Sequence, residues 1–151
     1  MNTEELERFM LKDMYIRKLY GGVLPKDYLP LMVGEPKMFI VNCDESTKKG
    51  SHWAVVYLVN HSTSEYFDPL GSIPSIDFAN YLMLQSNVIK INVKQCQSKS
   101  SISCGKFCLY YCYFRARGYS MFKIQNMFHK DLFYNDVLVQ EFFNLYDEQQ
   151  L

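Results

Sequence analysis

The sequence has no excess of charge of either sign. Its 16 Lys and Arg are matched by 16 Asp and Glu, for a formal net charge of +0. Such a chain has no global field to draw it to nucleic acid or to an anionic membrane. It also lacks an apolar run long enough to span a bilayer, and no basic-then-apolar signal peptide opens it. No repeat, low-complexity tract or linker divides it, so one domain over residues 1–151 is expected. An even set of cysteines is missing too. There are five, and three of them (Cys104, Cys108, Cys112) recur every fourth residue along one expected helix. That is poor arithmetic for disulfides and suits a reducing intracellular compartment.

Apolar and aromatic residues are plentiful. At 48% hydrophobic and 16% aromatic, the chain can bury a sizeable core. Asn2 and Glu5 form a capping-box pair, and Leu6, Phe9 and Met10 continue an amphipathic helix. The run YGGVLPKDYLP, residues 20–30, has two Gly and two Pro and reads as an ordered loop. Residues 37–43 read as a strand, and 44–51 as a charged loop. Residues 52–59 (HWAVVYLV) are apolar on both faces after the first residue, as in a central strand. A turn over 60–64 leads to a return strand, 65–68, closed by Pro69 and Gly71. Ser75 is expected to cap a helix to about Leu84, and 87–93 reads as a further strand. Ser120 and Asn135 are expected to cap two final helices. Strands clustered between helical segments predict an α+β fold, a mostly antiparallel sheet with helices packed around it.

The chemistry concentrates at Cys104. Phe107, Cys108, Tyr111, Cys112 and Arg115 share one helix face, Gly118 is a natural stop, and Ser103 is a plausible N-cap. Cys104 then sits in the first turn of a buried central helix, where free backbone N–H groups favour an anion. No acid occupies that turn. A thiolate there can have a pKa well below the usual value of about 8.5; a small buried Cys at a helix start is the plainer alternative. A nucleophilic Cys needs a base, and the base an orienting group. Of the three His, only His52 has an acid that a neighbouring strand could bring to it. That acid is Asp68, at the end of the return strand. A turn centred on Asn60 makes them direct cross-strand neighbours, and one centred on Ser62 offsets them by four residues. Gln97, or its rival Gln95, could add a side-chain amide to the Cys104 backbone N–H as an oxyanion donor. Trp53, the only Trp, follows His52. The three helical Cys lack a fourth ligand for structural zinc, so neither metal nor cofactor is expected.

Gly50-Ser51-His52-Trp53, then Phe67-Asp68-Pro69-Leu70-Gly71, then Gln97 with six residues before Cys104-Gly105, resemble the adenain-like cysteine proteases. That family includes the adenovirus protease and is related to the ubiquitin-like-protein proteases. Gly22-Val23, Asp27 and Leu29-Pro30 resemble the amino-terminal segment of its members from virus-like transposons. The resemblance covers roughly residues 5–145. It implies Cys104 as nucleophile, His52 as general base, Asp68 as its orienting group, Gln97 (over Gln95) in the oxyanion hole, and Trp53 beside the substrate cleft. It implies an endopeptidase that processes viral or virus-like polyproteins or capsid precursors, often after Gly, in a virion or in the host nucleus or cytoplasm. Removal of ubiquitin-like modifiers, and acetyl transfer by the same three residues, are the neighbouring activities. Two positions depart from the adenovirus pattern. Asp68 replaces a Glu, and Ser86 stands where the adenovirus enzyme has a Cys that links a peptide activator. A peptide activator held without that disulfide, and a DNA partner, stay open; a membrane partner is not expected.

Overall fold

The computed structural model describes residues 1–31, 34, 36–44, 47 and 52–149. Helix α1 (Thr3–Lys12) starts with the expected capping box: Asn2 accepts from the Glu5 N–H, and Glu5 accepts from the Asn2 N–H. Five strands follow in one sheet whose spatial order is their chain order: β1 (Tyr20–Pro25), β2 (Lys37–Asn42), β3 (Trp53–Leu58), β4 (Thr63–Phe67) and β5 (Val88–Ile91). Helix α2 (Ile76–Gln85) lies between β4 and β5 in sequence. The chain ends in α3 (Cys104–Ala116), α4 (Met121–Met127) and α5 (Leu132–Gln149). The α+β class expected from the sequence is therefore the observed one. The sheet is antiparallel at its centre, over β2–β3–β4, and parallel at both edges.

The alternation of β2, β3 and β4 divides the core into two layers. Met38, Ile40, Val55, Tyr57 and Phe67 face a large cluster built with α1, α3, α4 and α5. Phe39, Val41, Ala54, Val56, Leu58 and Tyr66 face a smaller one closed by Phe78, Tyr81 and Leu82 of α2. A strand buried on both faces carries a continuous apolar run, and β3 does. Helix α3 is packed on most sides, with Phe107 through Cys112 all buried. It stops as expected, with Gly118 at φ +92° one residue beyond the C-cap Arg117.

Three local expectations need correction. Residues 20–30 are not a loop throughout, because Tyr20–Pro25 forms β1. Its glycines are what admit it: a Cβ on Gly21 would lie 2.5 Å from the Phe39 ring, and Gly22 sits at φ +149° where the register shifts. Asn135 does not cap a helix but lies inside α5. Its buried amide donates to the carbonyls of Cys96 and His129 and accepts from the His129 N–H. Ser103 holds the N-cap position of α3, yet its side chain makes no capping bond.

One buried carboxylate couples the sheet to α3. Glu65 of β4 accepts from Tyr111 Oη at 2.6 Å and from Arg115 Nε at 2.9 Å and Nη2 at 2.9 Å. Above it, Phe67 stacks on Tyr111 with centroids 4.3 Å apart. A charge removed from water is tolerated only when paired and hydrogen-bonded, and removing one partner of a buried pair costs about 3–5 kcal/mol. Arg115→Ala is predicted to destabilise the fold by roughly that amount. Urea denaturation should show a lower midpoint with an unchanged slope; an unshifted midpoint would contradict the role given to this pair.

Candidate active site

Three of the sequence-selected residues meet at one end of the sheet. His52 immediately precedes β3 and Asp68 immediately follows β4. The pairing Val55–Phe67 places Asp68, one residue on, opposite Ala54, two residues from His52. The register thus falls between the two alternatives that the turn left open, and it keeps both side chains on one side of the hairpin. His52 Nε2 lies 2.7 Å from Asp68 Oδ1. Cys104, in the first turn of α3, lies near enough to the His52 ring and to the backbone of Trp53 and Gly105 for each to act on its thiol.

Asp68 is itself held on all sides. Its N–H donates to Asn92 Oδ1, and its carbonyl accepts from Asn92 Nδ2 at 2.7 Å. Its Oδ1 also accepts from the Leu70 N–H at 2.8 Å, an Asx turn that fixes the carboxylate rotamer. Asn92 follows β5, and no local sequence signal marks this role. Only the parallel β4–β5 pairing brings residue 92 beside residue 68. The Asp68-Pro69-Leu70-Gly71 turn also anchors the loop carrying Gln97, because the Pro69 carbonyl accepts from both Cys96 and Gln97 N–H. Gly71 has φ +72°, and a Cβ there would meet the Gln95 backbone nitrogen at 2.9 Å.

Gln97 is buried, and its Nε2 donates to the Ser101 carbonyl at 3.0 Å. Its Oε1 has no partner among the described residues. Gln95 instead donates to the Gln97 carbonyl. Trp53 is half-buried at the start of β3. Its Cδ1 would be 3.7 Å from a Cβ on Gly105, so the indole lies against the first turn of α3. Ser101 fixes the residue before the helix instead: its Oγ accepts from the Ser103 N–H and donates to Asp136 Oδ1 of α5 at 2.5 Å. The Gly50-Ser51 half of the motif around His52 lies outside the described residues.

The electrostatics follow from these contacts. Burial alone would lower the pKa of His52, but the hydrogen bond to Asp68 and the Cys104 sulfur outweigh it and raise the pKa to about 9. Burial alone would raise that of Cys104, but His52 and the Trp53 N–H outweigh it and hold the thiol below its ordinary value. The two shifts act in the same sense, each favouring the charged form of its group in the presence of the other. The other thiols go the other way. Burial and then the Asp68 charge push Cys43 up to about 12, and burial raises Cys96, Cys108 and Cys112 as well. Cys43 is the neighbour that the sequence reading passed over. Its N–H donates to the His52 carbonyl at 2.9 Å, so it lies across the ladder from His52. The signal was present in the strand ending just before the loop that leads to His52.

No family model and no curated protein matches the chain. Several solved structures resemble it. The central domain of the Lpg1148 protein from Legionella pneumophila aligns over 93% of this chain and 95% of its own, with a TM-score of 0.50 and 16% identity. At that identity the likeness is one of fold. A selenomethionine structure of the ASFV pS273R protease aligns over 62% of this chain at TM-score 0.45 and 22% identity, and a second structure of that protease over 60% at 0.45 and 18%. The aligned part spans 40% and 37% of those protease chains.

The contrast among thiols is directly measurable. Iodoacetamide near neutral pH is expected to label Cys104 before Cys43, Cys96, Cys108 or Cys112. His52→Ala should move the onset of Cys104 labelling up to the ordinary thiol range, about 8.5. Peptide mass spectrometry across a pH series reads both, and an unchanged onset in His52→Ala would break the proposed coupling.

Proposed function

We propose that the protein is a cysteine endopeptidase. The observation that carries this reading is the His52–Asp68 hydrogen bond beside Cys104, which opens a helix whose N-cap Ser103 makes no side-chain capping bond. In this reading the Cys104 thiolate attacks the scissile carbonyl carbon. The His52 imidazolium then protonates the departing amine and leaves a thioester. A water deprotonated by His52 cleaves the thioester, and Asp68 holds the imidazole in place throughout. The Cys104 backbone N–H and the second N–H of Gln97 are the donors assigned to the tetrahedral oxyanion. The neutral charge and the sequence resemblance favour protein substrates, namely viral or virus-like polyproteins or capsid precursors cut after Gly. Incubation with such precursors, and with ubiquitin-like precursors, followed by sequencing of the new termini, tests both the activity and the substrate class. Labelled acetyl donors in the same assay test acetyl transfer.

Cys104→Ala is expected to abolish cleavage while preserving the fold, and His52→Ala to cost nearly as much, since groups acting as a unit are not additive. Gln97→Ala should lower kcat by about 100-fold or more; a silent Gln97→Ala beside a damaging Gln95→Ala would move the oxyanion role to Gln95. The pH profile of kcat/KM should be bell-shaped. Its acid limb reflects protonation of the thiolate, and its alkaline limb, near 9, reflects loss of the imidazolium proton. Asp68→Asn removes the group that most raises His52, so the alkaline limb should move to lower pH.

The indole beside the first turn of α3 suggests a narrow approach to the sulfur. Steric exclusion discriminates sharply against what is too large. Peptides with Gly before the cut should outrun those with Leu or Phe, and Trp53→Ala should narrow that gap. Equal turnover of all three by the wild type would rule the channel out.

A further inference from the structure

One cluster that shares His52 and Asp68 with the proposed catalytic run combines soft and hard donors. Cys43 Sγ, a ring nitrogen of His52 and a carboxylate oxygen of Asp68 all lie within 4.8 Å of one another. It is the group of this kind found among the described residues. The helical cysteines Cys104, Cys108 and Cys112, which first raised the question of metal, do not form it. Cys43 is held by the ladder bond to the His52 carbonyl, and Asp68 by Asn92 and Leu70, so the backbones of all three are fixed relative to one another. Cys43 and His52 are partly exposed, which leaves an entry path.

We propose that Cys43, His52 and Asp68 form a zinc-binding site that shuts off the Cys104 centre. Thiolate, imidazole and carboxylate are the three ligand types zinc accepts, and a three-ligand site with the fourth position left to water is an ordinary zinc arrangement. The geometry needs only small adjustments. Metal–N and metal–O bonds of about 2.0–2.2 Å in a tetrahedron separate N from O by about 3.3 Å, so the His52–Asp68 pair must open from 2.7 Å. The sulfur must come to rest roughly 3.6 Å from either. The Cys43 sulfur already lies within 4.8 Å of both. On binding, the Cys43 thiol proton and the proton shared between Nε2 and Oδ1 pass to solvent, and zinc takes the place of the latter. Asp68 then ligates the metal instead of orienting the imidazole, and His52 no longer serves Cys104. The inhibitory consequence rests on the peptidase reading; the binding does not.

The test uses the full chain, reduced and stripped of metal. Zinc is titrated against a chromophoric chelator, and cobalt(II) serves as a spectroscopic probe, since a thiolate ligand gives it a sulfur-to-metal charge-transfer band. One ion per chain is expected. Cys43→Ser should weaken zinc by at least about 10-fold and remove the band, whereas Cys104→Ala should keep both. Zinc should also inhibit cleavage, and Cys43→Ser should raise the half-inhibiting concentration by the same factor as it weakens binding. Absence of binding by the wild type overturns the site. So does a band that is lost in Cys104→Ala and kept in Cys43→Ser, which would mean simple capture by the reactive thiolate. If Cys43→Ser fails to fold, as circular dichroism would show, the Cys104→Ala arm still decides, because a surviving band requires a second thiolate. If the wild type cleaves nothing yet binds one ion through Cys43, the peptidase reading fails and the metal site stands.

Discussion

The bonds that Glu65 makes to Tyr111 and Arg115 set the position of α3 on the sheet. A buried carboxylate has few tolerable arrangements, and a bidentate guanidinium with a phenol donor is one of them. The same contact sets the site. Glu65 lies three residues before Asp68 on β4, and Arg115 lies eleven residues after Cys104, about three turns at 1.5 Å per residue. Any slide of the helix along β4 would break that pairing and carry the sulfur away from His52. The Phe67–Tyr111 stack and the buried face of α3 add apolar area to the same register.

Around that register the polar groups form a chain in which each is held by the next. Asn92 fixes Asp68, Asp68 fixes His52, and His52 meets Cys104. Preorganisation of this kind matters because a thiolate and an imidazolium in a half-buried site are costly unless the donors are already in place. The Pro69 carbonyl couples the acid-bearing turn to the loop of Gln97, and Asn135 ties that loop to α5. Two loops and two strand ends therefore act as one rigid rim around the first turn of α3.

Environment, not residue type, separates the cysteines. Cys104, Cys108 and Cys112 lie on one helix a turn apart, yet only the first reaches a base and unpaired backbone donors. The other two are fully buried, and burial keeps their thiols neutral. Cys43 lies across the ladder from the same His52, but burial and the Asp68 charge act on it rather than a helix N-terminus. That asymmetry makes it a poor nucleophile and, with His52 and Asp68, a donor to a cation.

The sequence by itself determined the elements whose signals are local. The Asn2–Glu5 capping box, the two-faced apolar run of β3, the Gly118 stop and the place of Cys104 at a helix start are all set within a few residues. The candidates His52, Asp68 and Cys104 were legible from order and context, whereas Gln97 was preferred to Gln95 only through the family resemblance. The tertiary structure decided what depends on pairing across distance. The turn register that places Asp68 two residues off His52, the parallel joining of β1 and β5, and the roles of Asn92, Asn135 and Cys43 could not be read locally. Gly21 of β1 read as part of a loop because the Phe39 ring it makes room for lies on another strand. A strand register is fixed by the faces it buries and the neighbours it meets, and those neighbours exist only once the chain has folded.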